Sequence, residues 1–152
     1  MSVLVKNRLL AALPPAEYDL LYPTLKPVSF SPGDVLYHAG DKIRRVYFPH
    51  NGMISLLSVT QSGQTVEVGF SGEEGMVGLP IILGRNEMPY QAMAQTPSEG
   101  FSAEAADILA HFRRGDALHD VLLRYVAALM KQRAQTCVCN NLHRIEARLC
   151  RW

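Results

Sequence analysis

The sequence predicts a mainly β domain with flanking helices, a small roll or sandwich followed by a long C-terminal helix. Three observations predict it. Glycines at 33, 40, 52, 63, 72 and 84 recur at intervals of roughly eight to twelve, the spacing of turns in a small β-roll. Between them, from about Phe30 to Phe101, the chain is rich in β-branched and aromatic residues. Beyond Phe101 the apolar period changes from strand-like to helical.

The elements follow in order. Leu9, Leu10 and Leu13, then Tyr18, Leu20 and Leu21, form an amphipathic helical run broken at Pro14-Pro15. Prolines are tolerated where a helical segment starts, because the first amides of a helix lack partners. Turns are marked by Ser31-Pro32-Gly33-Asp34, Asn51-Gly52 and Ser62-Gly63-Gln64. Strands are expected over 35–38, 46–48, 53–59 and 65–70, with a weaker one over 91–95. In the fourth, Val66, Val68 and Phe70 alternate with Thr65, Glu67 and Gly69, which predicts one buried and one wet face. Ser102 is expected to cap a short helix with Glu104 in its first turn.

Gly115 then separates that helix from a longer one beginning near Asp116. Leu118, Leu122, Tyr125 and Leu129 repeat at spacings of four, three and four, continued by Gln132 and Thr136. That is a coiled-coil-like seam. A second apolar set, Val121, Val126, Ala127, Ala128 and Met130, lies off it. Two stripes on a terminal helix predict two partners, the chain's own roll and a second copy. A homodimer is therefore expected, with Leu118, Leu122, Tyr125, Leu129 and Gln132 at its interface. Asn140-Asn141 predicts a break and a new helix cap, followed by a stripe of Leu142, Ile145, Leu149 and Trp152. No stop signal precedes Trp152, so the native sequence is expected to continue.

Composition narrows the function classes. The net charge is +1, unevenly placed: residues 1–130 hold ten Lys/Arg and thirteen Asp/Glu, whereas residues 131–152 hold five and one. A basic tail suits proximity to nucleic acid as well as a solvated helix face. No apolar stretch approaches the ~20 residues of a membrane span, and Lys6 and Arg8 interrupt any signal-peptide core. The chain is expected to be cytoplasmic, without a membrane partner. Its three cysteines, Cys137, Cys139 and Cys150, are odd in number and lie in the last sixteen residues. Reduced thiols are expected rather than a disulfide framework.

Three segments carry a resemblance. They are S-P-G-D-V-L-Y-H-A-G-D from Ser31 to Asp41, V-Y-F-P-H-N-G from Val46 to Gly52, and V-E-V-G-F-S-G-E-E-G-M-V-G from Val66 to Gly78. In this order, before a long helix, they resemble the effector domain of Crp/Fnr-type transcription regulators, and the likeness covers almost the whole chain. The resemblance implies a double-stranded β-helix (jelly-roll) domain of the cyclic-nucleotide-binding kind over 1–115. A dimerisation helix and the start of a following helix would occupy 116–152. The family's winged helix-turn-helix is absent from this sequence, so DNA is an implied partner of the parent protein only.

The resemblance also places a ligand site at Gly72, Glu73, Gly75, Met76, Val77, Gly78, Leu79, Tyr90 and Gln91. In the family this segment cradles a cyclic phosphate with backbone amides and an Arg, while a Glu holds the ribose. Here Leu79 stands where the Glu is expected and Tyr90-Gln91 where the Arg-Ser pair is expected, with Ala92 matching the next residue. Glu73 and Glu74 would each oppose a phosphate within ~6 Å by on the order of 1 kcal/mol. Arg85 lies in a Gly-Arg-Asn-Glu turn expected to face solvent. Cyclic nucleotide is disfavoured, no cofactor is assigned, and another small-molecule effector or a ligand-free interaction scaffold stays open.

Other constellations are set aside. Cys137-x-Cys139 with His143 and Cys150 lacks zinc-ligand spacing, and the two nearer thiols point about 200° apart on a helix. The five histidines form no His-x-His or His-Glu-x-x-His pair. His38 and His50 fit turn histidines better than haem ligands. No Ser or Cys sits in a nucleophile elbow. No metal site and no enzymatic activity are expected.

Overall fold

The computed structural model describes residues 5–142, with side chains as far as residue 135. The N-terminal helices, α1 (Arg8–Ala11) and α2 (Pro15–Leu21), divide at the expected prolines, Pro15 opening α2. Asn7 caps α1: its Oδ1 accepts the Leu9 and Leu10 amides at 3.1 and 3.2 Å.

Among the described residues, seven antiparallel strands form a jelly-roll of two sheets. One has the order β1-β7-β3, from β1 (Lys26–Phe30), β3 (Arg45–Pro49) and β7 (Ser98–Glu104). The other has the order β2-β6-β4-β5, from β2 (Val35–Tyr37), β4 (Ile54–Val59), β5 (Thr65–Ser71) and β6 (Gln91–Ala94). Because β7 pairs with both β1 and β3, the end of the roll closes its beginning. Ile54 and Leu56 of β4, Ala92 and Ala94 of β6, and Val46 and Phe48 of β3 fill the interior. A 3-10 turn (Leu79–Leu83) crosses between β5 and β6. Helix α3 (Ala105–Arg113) follows the roll, and after Gly115 (φ +74°) comes α4 (Ala117–Leu142).

The structure corrects several expectations. Strands β1 and β7 carry weak sequence signals, and β7 nevertheless holds the centre of its sheet. Its small residues are a packing requirement: a Cβ at Gly100 would stand 2.9 Å from Pro49 Cα and collide with the Phe48 carbonyl. Ser102 does not cap a helix. It is buried within β7, its hydroxyl turned to the Lys26 carbonyl at 3.5 Å. Helix α3 starts three residues later, after the extended Glu104, and the Ala105 amide donates to Arg44 O at 2.8 Å. Alternation in β5 does not give one buried face either. Val66, Val68 and Phe70 are all exposed, because β5 is an edge strand whose register shifts against Leu56 and Leu57.

Helix α4 runs unbroken through Asn140-Asn141, where a break was expected. The two stripes do not keep separate roles: Val121 and Val126 of the second set also pack on this chain's core, whereas its Ala127, Ala128 and Met130 are exposed. Leu118 and Leu122 are buried in this chain's own core, closed to a second helix; Tyr125 and Leu129 are half-buried, and only Gln132 is exposed. The outward face instead carries Leu123, Ala127, Met130 and Ala134. The side chains of Thr136, Cys137 and Cys139, and residues Ile145, Leu149, Cys150, His143 and Trp152, lie outside what is described. No helix among the described residues is long and apolar enough to cross a membrane.

Candidate functional site

The expected ligand segment is a tight loop, residues 72–78, between β5 and the 3-10 turn. The Gly75 amide donates back to Gly72 O at 3.1 Å, and the Gly72 amide donates to Glu74 Oε1 at 3.1 Å. Gly78 adopts φ +97°, and a Cβ there would meet Val46 Cγ1 at 3.0 Å. Glycine alone satisfies both the conformation and the space.

Three other elements grip this loop. Asn7, fully buried, donates through Nδ2 to Gly75 O at 2.9 Å and to Pro49 O at 2.8 Å. The Arg8 amide donates to Glu73 O at 2.7 Å. Val77 exchanges two backbone hydrogen bonds with Tyr47 of β3, at 2.9 and 3.0 Å. From α4, Tyr125 Oη accepts the Met76 amide at 3.4 Å and leaves no room for a Cβ at Gly75. Burial pushes the Tyr125 phenol above the usual tyrosine pKa, partly offset by the Met76 amide and the Ser71 hydroxyl, so it stays neutral.

The nine candidate residues fall into separate environments. Gly72, Gly75 and Gly78 are buried backbone; Met76 and Val77 send their side chains into the core. Glu73 is exposed, as is its neighbour Glu74 outside the nine, and Leu79, Tyr90 and Gln91 are half-buried. Gln91 pairs in register with Leu57, which puts it on the sheet face opposite Ala92 and Leu56. It does not join Tyr90 on the interior side. Small clefts lie elsewhere, at the α2–α3–α4 junction and beside Phe30 and Phe101. Beside the loop, Tyr125 takes up the space.

Sequence reasoning missed what α4 contributes further along. The Arg133 guanidinium lies 5.8 Å from the centre of the Tyr90 ring. Its Nη2 is 3.8 Å from where a Gly69 Cβ would stand, a point equally close to Leu56 Cδ1. Arg133 thus faces the interior side of β5. Its spacing of eight from Tyr125 and four from Leu129 was the available signal, since residues so spaced share a helix face. On the same strand face as Gly69, the buried Ser71 hydroxyl is engaged with the Tyr125 phenol. Elsewhere, His38 is exposed and His50 packs edge-on against Phe101 with centroids 4.5 Å apart. Among the described residues, no three His, Cys, Asp or Glu side chains are placed to share a metal ion.

Comparison with known proteins agrees with this architecture. The family described as Cyclic nucleotide-binding domain matches residues 27–115. The N-terminal domain of a transcriptional regulator from Streptomyces coelicolor A3(2) superposes with a TM-score of 0.64 at 22% identity, covering 84% of this chain and 93% of that one. The Thermus thermophilus catabolite activator protein gives 0.64 at 23% identity, over 87% of this chain and 60% of that protein's length. The c-di-GMP responsive global regulator CLP of Xanthomonas campestris gives 0.73 at 11% identity, over 90% and 69%. Among curated protein sequences none matches this chain.

Proposed function

The chain belongs to the cyclic nucleotide-binding domain family, and from that premise we propose that it is the effector-sensing and dimerisation module of a Crp/Fnr-like transcription regulator. Its roll takes a small-molecule effector and α4 pairs with a second copy. DNA contact belongs to a further domain of the parent protein, and the module catalyses no reaction. The observation that carries this reading is the contact of Tyr125 with Gly75 and Met76. It ties the family's ligand loop to the long helix, so a ligand that moves the loop must move α4 or break the contact. Cyclic nucleotide remains a poor candidate, because Leu79 and Tyr90-Gln91 supply neither a ribose carboxylate nor a phosphate-binding guanidinium.

A thermal-shift panel of nucleotides and metabolites tests this, followed by hydrogen exchange of α4 with any compound that stabilises the protein. A sensor requires that the ligand bind two arrangements with different affinity, so exchange over residues 117–135 is expected to change. A stabilising compound that leaves those amides unaltered sinks the sensor reading. A panel without a single hit favours the ligand-free interaction scaffold, the reading to which Tyr125 filling the loop lends support.

A further inference from the structure

We propose that Tyr125 is the resting occupant of the ligand loop: α4 lays its own phenol where an effector would be held, and an effector binds by displacing it. The proposal rests on the sensor reading and specifies how that site is regulated. Gly75 carries the first argument. Its φ lies outside the left-handed region, so its backbone does not require glycine. What requires it is the phenol. A Cβ at Gly75 would collide with Tyr125 Oη, and would stand 3.1 Å from Tyr125 Cζ and 2.8 Å from Ser71 Oγ. The loop is hollowed at one residue, and Tyr125 fills the hollow.

The second argument is how the loop's polar groups are assigned. The amides of Gly72, Gly75 and Val77 are held within the roll, by Glu74 Oε1, Gly72 O and Tyr47 O at 3.1, 3.1 and 2.9 Å. The Met76 amide is given to α4 instead, donating to Tyr125 Oη at 3.4 Å, and the Ser71 hydroxyl is engaged with the same phenol. At 3.4 Å that bond is longer than the usual N–H···O length of about 2.9–3.0 Å, so a better acceptor can take the amide over. Displacement reaches the helix directly. Leu118, Val121 and Leu122 anchor its start in the core, whereas among residues 125–135 only Tyr125, Val126 and Leu129 are even half-buried. Losing the phenol therefore loosens residues 125–135 while 117–122 stay docked.

Calorimetric titration and hydrogen exchange of the full chain test this, with phenol, the part of Tyr125 beyond its Cβ, as the probe and benzene as its control. Tyr125→Ala is expected to bind phenol saturably, with benzene about fivefold weaker for want of the hydroxyl, and wild type to bind neither. Bound phenol should restore protection to the Met76 amide but not to residues 125–135, since it is no longer joined to α4. Gly75→Ala, which expels the phenol without altering α4, should speed exchange over 125–135 about fivefold and leave 117–122 unchanged. It decides the matter alone should Tyr125→Ala not fold. Equal phenol binding by wild type, equal binding of benzene, no phenol binding by a folded Tyr125→Ala, or wild-type exchange in Gly75→Ala overturns the proposal. A panel compound that binds Tyr125→Ala no more tightly than wild type also overturns it, and leaves the sensor reading standing. Phenol binding by Tyr125→Ala and faster exchange in Gly75→Ala, with no panel hit on either variant, would remove the sensor reading and leave the self-occupied loop.

Discussion

Asn7 makes four hydrogen bonds from a position without solvent exposure, two as the cap of α1 and two to the carbonyls of Pro49 and Gly75. Asn7→Ala removes a helix cap, typically worth about 1 kcal/mol. It also leaves two buried carbonyls unpaired, so a total loss of about 3 kcal/mol is expected from urea denaturation. Asn7→Asp keeps the cap but cannot donate, and should lose nearly as much; a wild-type midpoint in Asp would show that the two carbonyl contacts are dispensable. His50 sets a pH dependence. Burial holds its imidazole below the usual histidine pKa, with Lys6 acting in the same direction and Glu99 against it, and Nε2 has no partner. The unfolded chain takes up this proton at about pH 6.5 while the folded one takes it up only lower. Stability from His50 is thus complete above that pH and is lost as pH falls through the folded value. Urea midpoints between pH 7.5 and 5.5 should fall less for His50→Asn than for wild type; parallel slopes would refute the assignment.

At the scale of elements, the start of α4 depends on a residue a hundred positions away. Glu17 of α2 accepts the Ala117 amide through Oε1 at 2.9 Å and the Leu118 amide through Oε2 at 3.1 Å. A carboxylate there satisfies orphan amides and meets the positive end of the helix. Glu17→Ala should cost about 1–2 kcal/mol and speed hydrogen exchange at Ala117 and Leu118, with Glu17→Gln intermediate. Unchanged exchange at those two amides would mean that the cap adds nothing. Contacts of this range also mark where the sequence stops being legible. Strands β2 to β6 could be read because glycine turns frame β-branched runs, whereas β7 could not, since close approach to β3 demands the small residues that weaken a strand signal. The loop at 72–78 was placed by the resemblance that Val66 to Gly78 carries. Tyr125 and Arg133 were not visible as its neighbours, because only the docking of α4 brings them there. For the same reason the buried face of α4 could not be picked out from the two stripes: it takes residues from both, and the shape of the roll decides which ones.

At the scale of the whole molecule, the burial of α4's inner face changes where a second copy would sit. The outward face shows Leu123 at 41% and Met130 at 69% exposure, with Ala127 and Ala134 between and beyond them at spacings of four, three and four. Large apolar residues interleaved with alanines let two helices approach closely, and water contact at such a stripe is unfavourable for an isolated chain. The proposed dimer therefore pairs through Leu123, Ala127, Met130 and Ala134, while Leu118 and Leu122 hold α4 to its own roll. Sedimentation velocity combined with urea unfolding separates the two stripes. Leu123→Glu with Met130→Glu should give a monomer whose unfolding free energy per chain, at concentrations where wild type is also dissociated, stays within about 0.5 kcal/mol. Leu122→Ala should lose about 3 kcal/mol through the cavity it opens, yet associate normally while folded. A double-glutamate variant that still sediments as a dimer would place the interface elsewhere. If both results come out as expected, Arg133 and the pairing stripe lie on different faces of one rigid rod. A ligand that shifts how α4 docks on the roll then turns the stripe that meets the partner, and no separate relay between roll and dimer is needed.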